Sequence, residues 1–158
     1  MESMQRILCP VDFSESSTIA LNYAAKFGAG VGAELILLHA FDRPATLDME
    51  GQSNPADTTL HEQLENVRPD TENVQVTRVL HAGSTGEVIC WLAEDRACDL
   101  IIMGTHGHTG LKHLLLGSTA EYVLRHARCP VLTIRLRPEN EPPLKEPTVL
   151  PLTPPRLM

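Results

Sequence analysis

The stretch from Asp99 to Arg135 reads "DLIIMGTHGHTGLKHLLLGSTAEYVLRHARCPVLTIR" and decides the fold. Its first six residues, 99–104, form an apolar run that is typical of a strand buried on both faces. A glycine-rich loop follows, then a helical segment, "STAEYVLRHA" (118–127), and a further strand, "CPVLTIRL" (129–136). Strand, helix and strand in this order predict a right-handed crossover between two parallel strands.

The preceding part of the chain shows the same alternation. Strands are predicted at "RILCPVDF" (6–13), "ELILLHAF" (34–41) and "VQVTRVLHAG" (74–83). Helices are predicted at "SESSTIALNYAAKFGAG" (14–30), "TTLHEQLENV" (58–67) and "STGEVICWLAEDRA" (84–97), with a loop from Asp42 to Asp57. This order predicts an α/β fold, an open five-stranded parallel sheet with helices on both faces. Ligands of such sheets bind beyond the carboxyl ends of the strands, where the winding direction reverses.

The spacing of apolar residues and the capping residues support the predicted helices and indicate where the first one begins and ends. Ile19, Tyr23 and Phe27 recur at helical spacing in the first helix, which Ser14 or Ser16 can cap. Gly28 and Gly30 are expected to end that helix, because glycine favours the position after the last turn. In the third helix the apolar spacing falls on Val88, Trp91 and Leu92.

Composition restricts the class of protein. The 158 residues carry a net charge of −7, which argues against nucleic-acid and anionic-membrane partners. We expect one domain over residues 1–137 and a Pro-rich extended tail over 138–158. No secretory or membrane-spanning pattern is visible, so a cytoplasmic location is expected. The four cysteines lack CxxC spacing and are expected to be buried, reduced thiols.

The glycine-rich loop allows several interpretations. Gly104, Gly107 and Gly110 permit positive φ and a close approach of a ligand to the backbone. Gly117-Ser118-Thr119 opens a helix, whose N-terminus attracts an anion. The two ends of this loop would then enclose phosphates. Alternatively, Ser118-x-x-Glu121 is a capping box that needs no ligand.

Histidines suggest two further alternatives for the same loop. A metal site would use His106, His108 and His113, but no cysteine or carboxylate joins them at a recognised spacing. "GTHGH" is also similar to the HxGH signature of nucleotidyltransferases, which follows a first strand rather than a fourth. His39 on its apolar strand is expected to be a core histidine, and His126 to lie near a helix end.

The spacing Gly104-x2-Gly107-x9-Gly117-Ser118 resembles the nucleotide-binding motif of the universal stress protein A family, in its ATP-binding branch. "PVDFSESSTIAL" and the opening stretch match other motifs of that family, and the resemblance covers Arg6 to Arg137. It implies a Rossmann-like, adenine nucleotide alpha hydrolase-like fold with strand order 3-2-1-4-5. The segment between the second and third strands is short and loop-rich where many members carry a longer helix.

The resemblance also implies the site residues. Those expected along the nucleoside are Pro10, Val11, Asp12, Ala40, Met103 and Gly104, with Asp12 accepting a hydrogen bond from the base or a sugar hydroxyl and Ala40 covering the adenine ring. Those expected towards or at the phosphates are Thr105, His106, Gly107, His108, Gly110, Gly117, Ser118 and Thr119. No catalytic or metal-ligating residue is expected.

The implied function is an ATP-binding module of the stress response, with ADP or AMP as other ligands. Lys112 is the loop's one cation, so Mg²⁺ is expected to share the triphosphate charge. Hydrolysis is expected to be slow at most, because no Walker lysine or paired carboxylate is present. A homodimer through the last strand, Val131 to Leu136, is expected, and the alternative is an interaction module that needs no ligand.

Overall fold

The computed structural model describes residues 3–42, 55–106, 116–137 and 139–147. Its elements are β1 (Arg6–Pro10), α1 (Glu15–Val31), β2 (Glu34–Phe41), α2 (Pro55–Asn66), β3 (Val76–Ala82), α3 (Thr85–Asp95), β4 (Leu100–Gly104), α4 (Ser118–His126) and β5 (Val131–Ile134). The predicted alternation of strands and helices is therefore confirmed. The division into a domain over 1–137 and a tail over 138–158 stays a prediction.

The five strands form one parallel sheet in the order β3-β2-β1-β4-β5, which confirms the predicted order. Ile7 of β1 is paired with Leu35 on one side and with Leu100 on the other. The winding direction reverses between β1 and β4. A topological switch point thus lies at the carboxyl ends of these two strands.

Two apolar layers cover the sheet, one on each face. Ile7, Leu35 and Ile102 point into the first layer, where they pack against Leu21 of α1 and Leu64 of α2. The second layer joins strand residues to α3 and α4; among its members are Leu8, Ile36, Ile101, Ile89, Leu92 and Val123. All of these side chains are almost fully buried. Successive residues of each strand point alternately into the two layers, as expected for a sheet that is buried on both faces.

The end of α1 differs from the prediction, and its buried face excludes the apolar residues whose spacing identified the helix. The helix continues through Gly28 and Gly30 and ends at Gly32, whose left-handed backbone (φ 74°) lets its N–H donate to the Gly28 carbonyl. The face against the sheet consists of small residues and Leu21; it is formed by Ser16, Ser17, Ala20, Leu21, Ala24, Ala25 and Gly28. Ile19, Tyr23 and Phe27 are instead exposed. Small residues are required there because α1 packs closely on β4.

Trp91 of α3 shares the apolar spacing of Val88 and Leu92 but not their burial. Val88 and Leu92 are buried together with Ile89, whereas Trp91 is half exposed. The indole instead contacts the imidazole of His81 on β3, with ring centroids 5.0 Å apart. The wide indole therefore lies along the flank of the helix, and the narrower aliphatic residues fill the interior.

The cysteines are all free thiols, but only two of them are buried. Cys9 and Cys98 lie in the core, while Cys90 and Cys129 are partly exposed. Burial raises the pKa of Cys9 to about 12 and that of Cys98 to about 11, so both thiols stay protonated at neutral pH. None of the helices in the described part of the chain is long and apolar enough to cross a membrane.

Candidate functional site

A pocket of about 300 Å³ opens at the switch point, beyond the carboxyl ends of β1 and β4. It is lined by Pro10, Val11, Asp12, Ser17, Leu38, Ala40, Thr85, Ile89, Met103, Gly104, Thr105, His106, Gly117, Ser118, Thr119 and Ala120. These residues come from strands β1, β2 and β4, from helices α1, α3 and α4, and from the segments between them. The volume is at the lower end of the range for small-molecule sites.

Eleven of the fourteen residues expected at the site line this pocket. They are Pro10, Val11, Asp12, Ala40, Met103, Gly104, Thr105, His106, Gly117, Ser118 and Thr119. The other three, Gly107, His108 and Gly110, lie outside the described residues, as do Lys112 and His113. The fold thus brings both ends of the glycine-rich loop to the end of β1, more than ninety positions earlier in the sequence. Their role in binding a ligand stays a prediction.

The end of β1 is held in place by a tight polar turn. Asp12 accepts a hydrogen bond from the Ser14 backbone N–H (3.0 Å) and one from the Ser14 hydroxyl. Its own N–H donates to the Ser17 hydroxyl (3.3 Å). Between them Phe13 has a left-handed backbone (φ 64°), a conformation that costs a bulky residue some strain. This turn fixes Asp12 at the wall of the pocket.

His39 contacts the same turn from the protein interior, and its burial is as expected for a core histidine. The imidazole is buried and its Nδ1 lies 2.8 Å from the Val11 carbonyl oxygen, to which it donates. Its ring packs against Phe13 with centroids 4.5 Å apart. The strained residue is therefore compensated by a ring contact and a buried hydrogen bond. At the other predicted position, His126 lies in the last turn of α4, with Nδ1 2.8 Å from the Tyr122 carbonyl oxygen.

Gly104 is required at the end of β4 by packing rather than by its backbone conformation. Gly104 permits positive φ but does not use it, because positive φ among the described glycines occurs at Gly32 and Gly83. A Cβ at this position would collide with the Ser16 hydroxyl and lie 3.0 Å from the Ser16 carbonyl oxygen. The N-terminus of α1 therefore packs directly on the backbone of β4, beside the pocket.

The start of α4 forms the opposite wall of the pocket. Gly117 is the N-cap residue, in an extended conformation, and no side chain caps the helix. The capping box predicted from Ser118 and Glu121 is therefore wrong. Ser118 is already the first helical residue, and Glu121 pairs with Arg125 (2.8 Å) instead. The first N–H groups of a helix have no intrahelical acceptor, so α4 directs unpaired donors at the pocket edge.

A hydrogen bond ties this helix start to the end of β4. The Gly117 N–H donates to the Thr105 carbonyl oxygen (2.6 Å), and the Thr105 N–H donates to the Ile134 carbonyl oxygen of β5 (3.1 Å). The Thr105 hydroxyl lies 2.9 Å from Nδ1 of His106. Ten residues separate His106 from Gly117 in the sequence, and nine of them, 107–115, lie outside the described residues. The hydrogen bonds from Gly117 and Thr105 nevertheless fix the two ends of the loop relative to each other.

Sequence reasoning missed five lining residues. They are Ser17, Leu38, Thr85, Ile89 and Ala120. Leu38 and Ile89 add apolar surface, and Thr85 is the first residue of α3. Thr85 and Ile89 are four residues apart on one helix face, a spacing that could have identified them once α3 was assigned to the α4 side of the sheet.

The pocket therefore has an apolar part and a polar part. Val11, Leu38, Ala40, Ile89 and Met103 provide apolar walls, whereas the start of α4 provides backbone donors and hydroxyls. Asp12 and His106 are the ionisable side chains among the described lining residues. Within the described residues, no group of three or more His, Cys, Asp or Glu side chains is placed to hold a metal ion.

Fold and pocket together define a doubly wound α/β domain with a small-molecule pocket at its switch point. The sequence model of the Universal stress protein family matches residues 4–135. The chain belongs to this family.

Sequence and structural relatives agree with this assignment. Universal stress protein MJ0577 of Methanocaldococcus jannaschii is 33% identical, over 83% of this chain and 94% of its own length. The solved structure of MJ0577 superimposes with a TM-score of 0.71 at 34% identity, covering 87% of this chain and 99% of that one.

Two further solved structures share the fold at lower identity and contain nucleotides. A universal stress protein in complex with cAMP is 23% identical, with a TM-score of 0.67 over 85% of this chain and 98% of that one. The universal stress protein from Archaeoglobus fulgidus in complex with dAMP is 20% identical, with a TM-score of 0.56 over 84% and 98%. At these identities the likeness establishes the fold.

Proposed function

We propose that this chain is an ATP-binding module of the stress response, which also accepts ADP or AMP and hydrolyses ATP slowly at most. The observation that carries the proposal is the start of α4, where Gly117 leaves the helix without a side-chain cap at the edge of the pocket. Backbone N–H groups at a helix N-terminus favour phosphate. The cAMP and dAMP complexes of structural neighbours support a nucleotide with an adenine base.

The two parts of the pocket match the two parts of a nucleotide. The apolar walls from Leu38, Ala40 and Ile89 suit the base, and the start of α4 with Ser118 and Thr119 suits the phosphates. Burial of an aromatic-sized ring contributes about 4–6 kcal/mol, and bonds to a charged phosphate about 1.5–3 kcal/mol each. Micromolar affinity requires about 8 kcal/mol in total, so it is within reach after the cost of association.

Mg²⁺ is proposed to share the phosphate charge, because no lysine or arginine occurs among the described lining residues. Slow hydrolysis follows from the same residues. They supply one carboxylate, Asp12, whereas phosphoryl-transfer sites usually hold their metal ions with several acidic ligands. The proposed role is therefore to sense or carry the nucleotide rather than to turn it over.

Calorimetric titration of the nucleotide-free chain with Mg-ATP tests the proposal, with Mg-GTP as the ligand control. We expect micromolar affinity for Mg-ATP and at least tenfold weaker affinity for Mg-GTP. Gly117→Val should weaken Mg-ATP binding at least tenfold, because the isopropyl group obstructs the N–H groups of α4. Valine is compatible with the extended backbone at this position (φ −75°, ψ 160°), so the fold should persist.

Gly30→Val is the matched control for that variant. Gly30 lies on α1 away from the pocket, and a Cβ there meets nothing within 4 Å. It should bind Mg-ATP like the parent chain. Absence of heat and of any thermal shift at millimolar ATP in the parent chain would contradict the proposal and leave the start of α4 as a simple turn.

We also propose that β5 pairs with a second copy to form a homodimer. The Ile101 N–H donates to the Pro130 carbonyl oxygen, and the Thr105 N–H donates to the Ile134 carbonyl oxygen, so residues 130 and 134 direct their backbone groups towards β4. Because the backbone groups of successive strand residues point to opposite sides, Val131 and Thr133 direct their N–H groups away from β4. These groups are available for an antiparallel partner strand. An interaction module that needs no ligand would use the same edge.

Thr133→Pro separates dimerisation from nucleotide binding. Proline removes one N–H from the outer edge while the bonds to β4 remain. We expect a monomer in sedimentation equilibrium with Mg-ATP affinity unchanged within about twofold. A parent chain that is monomeric at all accessible concentrations would refute the dimer, and loss of ATP binding in the variant would show that the two surfaces are not separate.

A further inference from the structure

An apolar stripe runs along the exposed surface of α1. Ile19, Tyr23, Phe27 and Val31 follow one another at four-residue spacing and are 36%, 51%, 38% and 44% exposed. They account for most of the large exposed apolar residues in the described part of the chain; the others are Trp91, Leu124 and Leu144. A helix of a monomeric domain normally exposes polar residues on this side. The α1 stripe is therefore unexplained by the packing of the domain.

The contacts of α1 show which way most of this stripe faces. Asn22 accepts a hydrogen bond from the Asp70 N–H (3.1 Å), so its flank of the helix faces the connection between α2 and β3. At 100° per residue, Phe27 and Val31 project from the opposite flank, with Tyr23 between that flank and solvent. The strand order places β5 at the edge of the sheet opposite β3 and α2, and α1 contacts β5, so this flank of the helix faces β5. The α1 stripe thus borders the β5 end of the sheet.

The same face of β5 is incompletely covered. Leu132 and Ile134 pack against the apolar layer beneath α1, yet both are only partly buried. In this layer α2 lies over β3 at the far end of the sheet. No helix follows β5 among residues 135–137 and 139–147. Leu132 and Ile134 therefore continue the apolar surface of the α1 stripe at a corner of the sheet.

The chain after β5 begins its Pro-rich tail at this corner. Residues 139 and 140 form a turn, and Glu141 pairs with Arg135 (2.8 Å) and Arg137 (3.5 Å). These ion pairs bring the start of the tail back beside the end of β5. Farther along, Leu144 is 96% exposed. The tail thus leaves the fold next to the apolar corner with apolar residues of its own.

We propose that the C-terminal segment 148–158, "TVLPLTPPRLM", docks on the α1 stripe and the adjoining face of β5, in place of a helix after β5. This surface is independent of the proposed nucleotide pocket. Three prolines and the apolar residues Val149, Leu150, Leu152, Leu157 and Met158 suit an extended polyproline II segment. Such segments bind surfaces that present aromatic side chains, and Tyr23 and Phe27 supply them here.

The length of the tail is sufficient. The 17 residues after Glu141 span about 50 Å in polyproline II conformation, whereas a helix of 17 residues such as α1 is about 25 Å long. The other side of the sheet is a poorer surface, because α3 and α4 together expose two large apolar residues, Trp91 and Leu124, and the Trp91 indole already contacts His81. Docking would cover apolar groups on both partners, and its entropic cost is reduced because Glu141 already holds the tail nearby.

The experiment compares two full-length variants by hydrogen–deuterium exchange of α1 and β5. Leu150→Asp/Leu152→Asp places two charges on apolar tail residues, and Thr148→Asp/Thr153→Asp places two charges on polar residues of the same segment. We expect the first variant to exchange the α1 and β5 amides about threefold to tenfold faster than the parent, and the second to match the parent. Phe27→Asp on α1 should reproduce the first result, and Leu124→Asp on α4 should not.

Oligomeric state and concentration dependence identify the occupant. Docking within one chain predicts that exchange is independent of protein concentration and that the leucine variant keeps the oligomeric state of the parent. Faster exchange that appears only on dilution would assign the α1 stripe to a second copy and overturn the proposal. Equal exchange in the parent and in Leu150→Asp/Leu152→Asp would also overturn it. Changed nucleotide affinity is not expected in any of these variants.

Discussion

The starts of α1 and α4 lie at the same pocket but are finished in different ways. At α1 the Ser14 hydroxyl accepts a hydrogen bond from the Ser17 N–H (3.2 Å), and Asp12 holds Ser14 in turn. At α4 Gly117 occupies the equivalent position without a side-chain cap. At the first helix start the protein itself supplies a side-chain acceptor, the Ser14 hydroxyl, whereas the second helix start presents its donors to the pocket. The start of α1 therefore has a structural role, and the start of α4 is the proposed phosphate site.

The largest effect on stability is expected where the start of α1 packs on the end of β4. Gly104→Ala places a methyl group against Ser16 of α1, so the helix must move away from the sheet. We expect a loss of about 1–3 kcal/mol in the free energy of unfolding, measured by urea denaturation, with weaker Mg-ATP binding in the same variant. Gly30→Ala, on the open surface of the same helix, should instead be neutral or stabilising by up to about 1 kcal/mol. Equal stability of both variants would contradict the close approach.

Serine variants at the two helix starts separate stability from binding. Ser14→Ala removes the cap of α1 and should lower the free energy of unfolding by about 1 kcal/mol. Ser118→Ala removes no cap, so its stability should stay within about 0.5 kcal/mol of the parent. Its Mg-ATP affinity should fall severalfold, because the hydroxyl is a proposed phosphate donor. A destabilised Ser118→Ala chain in urea denaturation would show that the capping box operates after all.

The smallest effect is expected at the opposite end of the sheet, where a carboxylate joins β1 to β4. The Asp99 side chain accepts bonds from the Arg6 N–H (2.9 Å) and the Gln5 N–H (2.7 Å), and these hold the pKa of Asp99 below its usual range. A lowered pKa stabilises the fold above about pH 4, and this contribution is lost as the pH falls through the pKa of the folded state.

Asp99→Ala should therefore cost about 1 kcal/mol or less at pH 7, because Asp99 is exposed. Urea denaturation across the pH range should show the difference from the parent shrinking below about pH 4. Asp95→Ala is the matched control, since Asp95 makes one exposed ion pair with Arg96 (3.5 Å). If the stability difference between Asp99→Ala and the parent stayed the same in acid, the ionised Asp99 carboxylate would be excluded as its cause.

The two helix starts also show which features of this fold can be predicted from the sequence. The strand order and the pocket location could be predicted from the alternation of strands with helices and from the resemblance to a known family, because these two features depend on long segments of the chain. Cap positions depend on single residues, so Ser118 was expected to cap α4 although Gly117 occupies the cap one position earlier. The packing of Gly104 on Ser16 joins residues 88 positions apart, which no local pattern encodes. The apolar spacing of Tyr23 and Phe27 helped to predict α1, yet both side chains lie on the surface of the helix.

The contact between Trp91 and His81 gives the protein an optical reporter. Trp91 is the single tryptophan of the chain, half exposed on the helix that contributes Thr85 and Ile89 to the pocket. Its indole lies 5.0 Å from the imidazole of a neighbouring strand. A ligand that shifts α3 against β3 therefore changes the surroundings of the single indole of the chain. The emission of the unmodified protein then records events at the pocket without an attached label.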